Sequence, residues 1–336
     1  MENNIFPIHV CFSSDQRYTN ILIVALQSLI NNTSEFNKYY IHILSDGIEK
    51  QYKSLIYGMC TKNITINIIE MDTYKEKLKN VFVDRHLSIA TYYRFFLPEL
   101  FKDINKILYL DTDILIMDDI EKIYNVDISE KYMAGCNDIA FNTLNFEDFQ
   151  NAHVLLKKLG YIDRKKYVNA GILLFNLKKM RETNASKRLL DMALSHKFPF
   201  HDQDVLNLIF QDGIQEMDER WNFITHLSPE VYSSAVQKRL YNRIASNSMS
   251  IIHYAGARKP WNDFNILLGG LWWKTALNSP ASAYFIKEIM TAQNVQHSKQ
   301  ISLKLKIKRE FYRVMRNITF GKLRNFYNKK LKKYEN

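Results

Sequence analysis

Short apolar runs alternate with segments of helical periodicity along the first third of the chain. Residues 8–12 form an apolar run of the kind that is typical of a buried strand. The run breaks at Ser13-Ser14-Asp15, and a pattern with one apolar helical face follows. That face carries Ile21, Leu22, Ala25, Leu26, Leu29 and Ile30. This order predicts a strand followed by an amphipathic helix.

Further strand-like runs occupy residues 40–44, 64–69 and 106–110. Residues 87–97 show a helical pattern, which we expect to stop at Pro98 because proline breaks a helix interior. Strands that alternate with helices predict an α/β fold with a mostly parallel sheet covered on both faces.

Two acidic residues directly follow predicted strands. Asp15 comes after the first strand, and Asp111 comes after the strand at residues 106–110. In sheets of this type, ligands bind in a crevice beyond the carboxyl ends of the strands. Asp15 and Asp111 can therefore face one crevice.

The motif Asp111-Thr112-Asp113 is the first candidate for chemistry. Side chains two residues apart point the same way in an extended segment, so both carboxylates can bind one hard cation. Such a cation could also bind a diphosphate and neutralise its charge. Two alternatives stay open from these residues alone, a pair of solvated acids and the phosphatase motif D-x-D-x-T/V. Leu115 occupies the last position of that motif, which weakens the phosphatase alternative.

His253 follows a strand-like run at residues 249–252 and is a candidate third ligand. Imidazole combined with two carboxylates shifts metal preference from Mg²⁺ towards Mn²⁺, although a packed structural histidine would give the same pattern. Gly256 permits close backbone approach, and Lys259 can hold a phosphate.

Two further segments combine polar residues with an apolar element. Asp202 begins a helical pattern, where it can act as an N-cap or, with Gln203, contact a sugar at the rim of the crevice. Asn169-Ala170-Gly171 leads into an apolar strand, where small residues allow a ligand or another backbone to approach closely. A turn before a core strand is the alternative for that segment.

The composition narrows the class of protein. Of the 336 residues, 46% are apolar and 24% are charged, so a core can form and general disorder is excluded. We find no apolar run of about 18 residues, no secretory signal and no glycine-rich phosphate loop. Three cysteines cannot make a disulfide framework or a zinc site, so we expect a reducing cytoplasm.

The net charge of +11 belongs to the C-terminal segment. Residues 299–336 hold 13 Lys and Arg but 2 Asp and Glu, which leaves 33 basic and 33 acidic groups in the other 298 residues. Apolar residues recur there at helical spacing, at Leu303, Ile307, Phe311, Val314 and Ile318. A basic amphipathic helix suits an anionic membrane surface. The alternatives are a helix docked on the body and a nucleic-acid arm, and no nucleic-acid partner is expected because no reading module accompanies the segment.

Taken together, these motifs resemble the family 8 glycosyltransferases. That family includes the galactosyl- and glucosyltransferases of bacterial lipooligosaccharide and lipopolysaccharide core synthesis. The resemblance is carried by residues 12–18, 86–94, 108–113, 135–138, 169–171, 202–204 and 253–261. It implies a Rossmann-like, nucleotide-sugar-binding fold of the GT-A type.

The resemblance also implies roles for individual residues. Asp111, Asp113 and His253 would bind a metal, normally Mn²⁺, with Mg²⁺ as the alternative. Residues implied to bind the UDP-hexose donor are Ser13, Asp15, Arg17, Tyr18, Arg94, Asp111, Thr112, Asp113, Asp138, Asn169, Ala170, Gly171, Asp202, Gln203, Gly256 and Lys259. Arg17 stands where family members often have asparagine. His86 and Thr91 would lie on the acceptor side.

The family retains the anomeric configuration of the sugar, and two mechanisms are open. In a double displacement Gln203 is the nearest nucleophile and Asp202 the other candidate, yet an amide oxygen is weak. We favour a front-side internal return, in which the leaving phosphate deprotonates the acceptor. The non-family alternatives are a phosphohydrolase that uses Asp111 and Asp113, and a non-catalytic membrane adaptor.

The sequence suggests three regions. Residues 1–265 are the expected catalytic domain, 266–297 an aromatic helical region, and 298–336 a basic amphipathic membrane-docking tail. The K-P-W segment and the aromatic region after it resemble lipopolysaccharide glycosyltransferases, which implies a lipid-linked or core-oligosaccharide acceptor. We therefore expect a cytoplasmic enzyme associated peripherally with the inner face of a bacterial membrane.

Overall fold

A computed structural model of the protein describes residues 7–83, 88–143, 147–161, 163–225, 242–244, 246–295, 303–319 and 321–334. The strands are β1 (Pro7–Ser14), β2 (Lys38–Ser45), β3 (Ile64–Glu70), β4 (Lys106–Leu110), β5 (Ile114–Ile116), β6 (Met133–Asn137), β7 (Val168–Asn176), β8 (Ile214–Met217), β9 (Phe223–Ile224) and β10 (Ile251–His253).

The main sheet has seven strands in the order β3-β2-β1-β4-β7-β6-β8. Strands β3, β2, β1 and β4 are parallel neighbours, as are β6 and β8. Strand β7 runs antiparallel to both β4 and β6. The expectation of an α/β fold with a mostly parallel central sheet is confirmed.

A second sheet of three short strands has the order β5-β10-β9. Strand β10 pairs antiparallel with β5, so that His253 lies opposite Ile114, and parallel with β9. Because β4 belongs to the main sheet and β5 to the second, Asp111-Thr112-Asp113 crosses from one sheet to the other. This crossing brings both aspartates next to the end of β10.

Within the ranges given above, fourteen α-helices connect or cover these strands. They are α1 (Thr19–Asn32), α2 (Lys50–Tyr57), α3 (Asp72–Lys77), α4 (Leu97–Leu100), α5 (Glu121–Tyr124), α6 (Ile139–Thr143), α7 (Glu147–Lys158), α8 (Leu177–Glu182), α9 (Ala185–Ser195), α10 (His201–Phe210), α11 (Gly269–Leu277), α12 (Ser282–Val295), α13 (Leu303–Ile318) and α14 (Gly321–Leu331). Helix α1 has the apolar face that the sequence predicted.

The prediction of a helix that stops at Pro98 is wrong in its detail. Ile89–Phe96 forms a 3₁₀ helix, and Pro98 lies within the first turn of the α-helix that follows. Proline is tolerated there because the first N–H groups of a helix have no intrahelical acceptor. The proline marks a change of helix type instead of a stop.

Successive side chains of the main strands alternate between two apolar clusters, one on each face of the sheet. In β1, Val10 and Phe12 join one cluster while Cys11 joins the other. In β4, Leu108 and Tyr109 divide in the same way. Burial of each large apolar side chain contributes about 1.5–3 kcal/mol to folding. The sheet is therefore packed against an apolar cluster on each face, and the candidate functional side chains come from the ends of its strands.

The basic C-terminal segment forms α13 and α14, and α13 lies against the body. A β-carbon added at Gly270 of α11 would lie 3.0 Å from both Asn317 Cβ and Ile318 Cγ2, and Val314 packs against the main core. The alternative of a basic helix docked on the body therefore describes α13. The division into regions at residues 265 and 297 stays a prediction.

Helix α14 begins at Gly321, which adopts a left-handed φ of 60° that suits glycine. Its Leu331 is buried, whereas the side chains of Leu323 and Phe326 are 53% and 51% exposed. Apolar side chains and basic residues thus share an open surface. Among the helices that the structure describes, none has the length and apolarity required to cross a bilayer.

Candidate active site

Asp111, Asp113 and His253 converge at the junction of the two sheets. One ligand atom from each of the three residues lies within 4.8 Å of those of the others. The imidazole Nε2 of His253 lies 3.3 Å from Asp113 Oδ1. The backbone fixes the junction, since Asp111 N donates to Gly171 O at 2.8 Å and Tyr254 N donates to Asp113 O at 2.9 Å. The three residues predicted to bind a metal are therefore brought together.

The sequence predicts that a ligand or another backbone approaches Asn169-Ala170-Gly171 closely, and in the structure the side chain of His253 does so. A β-carbon added to Gly171 would lie 2.3 Å from Cε1 of the His253 ring. The alternative of a turn before a core strand is wrong, because strand β7 begins at Val168 and includes all three residues. Gly171 is required because its missing side chain leaves room for the imidazole.

Lys259 extends its ammonium group to the same junction. Its Nζ donates to Asp113 Oδ2 and, at 2.7 Å, to the carbonyl oxygen of Tyr254. The chain returns there through Gly256, whose φ of 79° is left-handed. Burial alone would raise the pKa of Asp113, but Lys259 and His253 outweigh that effect and hold it well below its usual range. Asp113 is therefore ionised and paired with the ammonium group of Lys259.

Arg94 is buried in the wall of the crevice beside Asp111. Its guanidinium lies over the ring of Tyr109 at 3.9 Å and donates to Asp111 Oδ1 at 2.8 Å and to the carbonyl oxygen of Ala170. It also lies 3.1 Å from Asp202 Oδ2, while its Nε–H donates to Thr91 O at 2.9 Å. Burial by itself lowers the pKa of Arg94, yet the neighbouring anionic groups outweigh it and raise the pKa. The guanidinium thus stays charged and orients both carboxylates.

Asp202 does not cap α10, so that alternative is wrong. The helix begins at His201, and Asp202 lies within the first turn, where Thr91 Oγ1 donates to its Oδ1 at 2.5 Å. The capping bond is made instead by Asp204, whose Oδ2 accepts from Phe200 N at 2.8 Å. Burial raises the pKa of Asp202, an effect that Arg94 and Thr91 oppose.

Gln203, Asp138 and Asn169 continue the polar wall. Gln203 Oε1 accepts from Ala170 N at 2.9 Å, and its Nε2 donates to Asp138 Oδ2 at 3.2 Å. Asn169 Nδ2 donates to the same Asp138 oxygen at 3.2 Å. Asn222 extends the network, because its Nδ2 donates to Asn169 Oδ1 at 2.9 Å. Sequence reasoning missed Asn222, since no motif marks it.

Ser13, Asp15, Arg17 and Tyr18 lie at the carboxyl end of β1. Asp15 Oδ1 accepts from Tyr18 N at 3.1 Å, and Asp15 Oδ2 accepts from Arg17 at 2.8 Å. Tyr18 meets the ring of Trp261 edge-on at 6.2 Å, which joins this end of the crevice to the segment that carries Lys259. Ser13 is buried where β1 ends.

A cavity of about 360 Å³ opens beside these residues. Its lining includes Asp15, Arg17 and Ser88, together with an ion pair at 2.5 Å between Asp46 and Lys75. Sequence analysis named neither member of that pair, although Asp46 directly follows strand β2 as Asp15 follows β1. Of the predicted acceptor-side residues, Thr91 lies in the wall beside Asp202, and His86 lies outside the described residues.

The fold and the gathered groups define a class of protein. A mostly parallel sheet, with paired carboxylates beyond a central strand and an imidazole from a second sheet beside them, is the GT-A architecture of glycosyltransferases. The expected fold class is confirmed.

The chain belongs to glycosyl transferase family 8, whose sequence model matches residues 9–265. It is 28% identical over 323 residues to a putative glycosyltransferase of Haemophilus influenzae, covering 92% of this chain and 88% of that protein. It is 24% identical over 268 residues to a lipopolysaccharide 1,2-glucosyltransferase of Escherichia coli, covering 76% and 74%. The galactosyltransferase LgtC, solved with donor and acceptor sugar analogs, is 25% identical with a TM-score of 0.66, covering 81% and 96%. The family resemblance is thereby confirmed.

Proposed function

We propose that the protein is a metal-dependent, retaining hexosyltransferase that moves glucose or galactose from a UDP-sugar to a saccharide acceptor. One observation carries the proposal. The cluster of Asp111, Asp113 and His253 is in contact with Lys259 through Asp113 and, through Asp111, with Arg94 of a buried wall of carboxylate, amide and guanidinium groups. Cationic groups suit a diphosphate, and the polar wall suits the hydroxyls of a sugar. Family membership favours a transferase over the phosphohydrolase and adaptor alternatives.

The proposal divides the crevice into regions along the donor. The nucleoside is assigned to Ser13, Asp15, Arg17 and Tyr18 at the end of β1, and the diphosphate to Gly256 and Lys259. The sugar is assigned to Arg94, Asp138, Asn169, Ala170, Gly171, Asp202 and Gln203. Thr112 is buried between the two aspartates and completes the donor-side set. Thr91, with His86, is assigned to the acceptor side.

The donor set at the junction fits a divalent cation. Two carboxylates and an imidazole suit Mn²⁺, with Mg²⁺ as the alternative. When bound by Asp111, Asp113 and His253, the metal would supply positive charge to the diphosphate that leaves. Lys259 adds a second positive charge at the same end of the crevice.

The hydrogen bonds of the wall favour front-side return over a covalent intermediate. Gln203 Oε1, the candidate nucleophile, accepts from Ala170 N at 2.9 Å. Asp202 is bound to Thr91 and lies beside Arg94, so its charge is neutralised within the wall. In front-side return, the bond from the anomeric carbon to the phosphate oxygen breaks, the acceptor oxygen bonds to that carbon on the same face, and its proton passes to the phosphate. The wall residues hold the sugar during this exchange.

A transfer assay tests the proposed function. UDP-glucose or UDP-galactose is incubated with Mn²⁺ and a panel of lipopolysaccharide-core oligosaccharides, while UDP release is followed and the product anomer is assigned by NMR. We expect metal-dependent transfer of one sugar with its α-configuration retained. A product of β-configuration, or equal turnover after metal is chelated, would contradict the proposal.

We further propose that the basic C-terminal helices bind an anionic membrane surface. This binding would place the protein at the inner face of a bacterial membrane. The exposed side chains of Phe311, Leu323 and Phe326 share this surface with Lys and Arg. Each basic residue near such a surface contributes about 1 kcal/mol. A lipid-linked acceptor, as the kinship to a lipopolysaccharide 1,2-glucosyltransferase suggests, would then be confined to the same surface as the enzyme.

Neutralising α14 is expected to weaken vesicle binding by about 1,000-fold, since four basic residues contribute about 4 kcal/mol at the surface. The four residues changed to glutamine are Lys322, Arg324, Lys329 and Lys330. Binding is measured by cosedimentation with vesicles that contain anionic phospholipid.

A matched control removes the same charge from the body of the protein. The residues changed to glutamine in the control are Lys157, Lys158, Lys165 and Lys166. We expect this variant to bind vesicles within about threefold of wild type, because its charges belong to α7 and the turn after it and not to the C-terminal helices. Equal losses in both variants would show that net charge, and not the tail, governs association.

A further inference from the structure

We propose that Asn222 is a positioning residue that sets the tautomer of His253 for metal binding, and that Asp138 fixes the orientation of Asn222 through Asn169. The proposal deepens the assignment of His253 as a metal ligand. It concerns which nitrogen of the imidazole carries the proton. It also connects the residues assigned to the metal with Asn169 and Asp138, which are assigned to the sugar.

The four residues form an unbroken and buried chain of hydrogen bonds. His253 Nδ1 lies 2.9 Å from Asn222 Oδ1, and Asn222 Nδ2 lies 2.9 Å from Asn169 Oδ1. Asn169 Nδ2 lies 3.2 Å from Asp138 Oδ2. Their exposed fractions are 3% for His253, 5% for Asn222, 8% for Asn169 and 6% for Asp138. Orientations in a buried network are specific because an unpaired polar group there is costly.

The orientation of each amide in this chain of hydrogen bonds can be followed from Asp138. A carboxylate oxygen that accepts a hydrogen bond from a neighbouring amide requires the NH₂ group of that amide to face it. Asp138 accepts from Gln203 Nε2 and from Phe141 N as well as from Asn169. The NH₂ group of Asn169 must therefore face Asp138, which turns its oxygen towards Asn222. Gly171 N also donates to that oxygen at 3.0 Å, which reinforces the same orientation.

The orientation then passes to the imidazole. Because Asn169 presents its oxygen, Asn222 must present its NH₂ group to Asn169 and its own oxygen to His253. An oxygen at 2.9 Å requires a proton on His253 Nδ1. With Nδ1 engaged by Asn222, Nε2 is the nitrogen that faces Asp113, at 3.3 Å, and in the neutral ring it is the nitrogen left to bind a metal. A metal-bound histidine takes its tautomer from the hydrogen bond of its second nitrogen.

Two measurements test this on the whole protein. Long-range ¹H–¹⁵N correlation spectra of the metal-free protein, recorded at a pH at which the ring is neutral, report which nitrogen of His253 carries the proton, with His253→Gln used to assign the signal. Electron paramagnetic resonance of Mn²⁺ reports metal affinity without any turnover. We expect the Nδ1–H tautomer in wild type, and its loss in Asn222→Ala together with an affinity about 10–100-fold lower.

Asn222→Asp is the conservative variant, because a carboxylate still accepts from His253 Nδ1. We expect it to keep the Nδ1–H tautomer and to bind Mn²⁺ within about threefold of wild type. Asn207→Ala is the matched control. Asn207 is a fully buried amide that bonds the backbone of Val168 and Gln203, so its loss is expected to lower stability without changing the tautomer.

The outcome separates this inference from the proposed function. A proton on Nε2 in wild type, or an unchanged tautomer and affinity in Asn222→Ala, would overturn the role of Asn222. If wild type shows the Nδ1–H tautomer and binds no Mn²⁺, the metal-dependent function fails while the positioning of His253 by Asn222 stands. If Asn222→Ala does not fold, the tautomer in Asn222→Asp decides, and a proton on Nε2 there counts against the proposal.

Discussion

Replacing Gly171 with alanine is expected to lower the affinity for Mn²⁺ by at least about 100-fold, the upper end of the losses seen when ligand positioning is disturbed. The added β-carbon would lie 2.3 Å from His253 Cε1 and 2.9 Å from Nδ1. The ring cannot move aside freely, because it is buried and held by Asn222. Gly171 does not have a positive φ, so alanine is compatible with the backbone and the effect comes from displacing the ligand.

Gly213→Ala provides a matched control for steric strain. A β-carbon at Gly213 would lie 2.5 Å from the ring of Tyr132, a contact similar to the one with His253 but away from the metal cluster. We expect a loss of about 1–3 kcal/mol in stability, as overpacking produces, with metal affinity unchanged. Mn²⁺ titrations and urea unfolding of both variants check this. Normal Mn²⁺ affinity in Gly171→Ala would show that His253 is not a required ligand.

Replacing Arg94 with methionine is expected to destabilise the protein by about 3–5 kcal/mol, the usual result of breaking a buried ion pair by removing one partner. The change leaves Asp202 and Asp111 without the guanidinium that lies 3.1 Å and 2.8 Å from their oxygens. Activity is also expected to fall by about 100-fold or more, because a misplaced wall no longer orients the sugar.

The loss of stability in Arg94→Met is expected to grow with pH. Burial already raises the pKa of Asp202, and removing Arg94 takes away an opposing influence, so the folded-state pKa rises further. A carboxyl with a raised folded-state pKa contributes stability at pH values below its unfolded pKa, and this stability is lost as pH rises through the folded-state pKa. Urea unfolding at pH 5 and pH 8 measures the difference. A loss of stability in Arg94→Met that does not depend on pH would contradict the account.

Arg94→Lys is the control, because lysine keeps the positive charge but lacks the several fixed N–H donors of a guanidinium. We expect a smaller loss of stability in Arg94→Lys than in Arg94→Met.

The alternation of strands and helices in the first third of the chain could be predicted because β1, β2 and β4 are largely apolar runs. The second sheet could not be predicted as a unit. Its strands are two or three residues long, and Ile114 pairs with His253 far along the chain. Pairing at such separation depends on the folded main sheet, which local patterns do not describe.

Some residues of the site could be predicted from local sequence motifs, whereas others are recognised only from the fold. Asp111, Asp113, His253 and Lys259 stand in recognisable motifs, and the structure brings them together. Asn222 acquires its position because β9 lies beside β10, so nothing next to it in sequence identifies it. The capping interpretation of Asp202 is wrong because the helix begins at His201, with Phe200 at the N-cap, which places the Asp202 carboxylate inside the first turn.

Calorimetric titration of UDP-glucose and UDP-galactose, with and without Mn²⁺, tests the central claim most directly. It is carried out on wild type and on Asp113→Asn, which keeps the size of the side chain but removes the negative charge that the metal requires. We expect one UDP-sugar to bind to wild type with Mn²⁺ present, and its binding to be lost without the metal and in Asp113→Asn. Equal binding of the donor to both proteins, with or without Mn²⁺, would contradict a metal-dependent donor site at this junction.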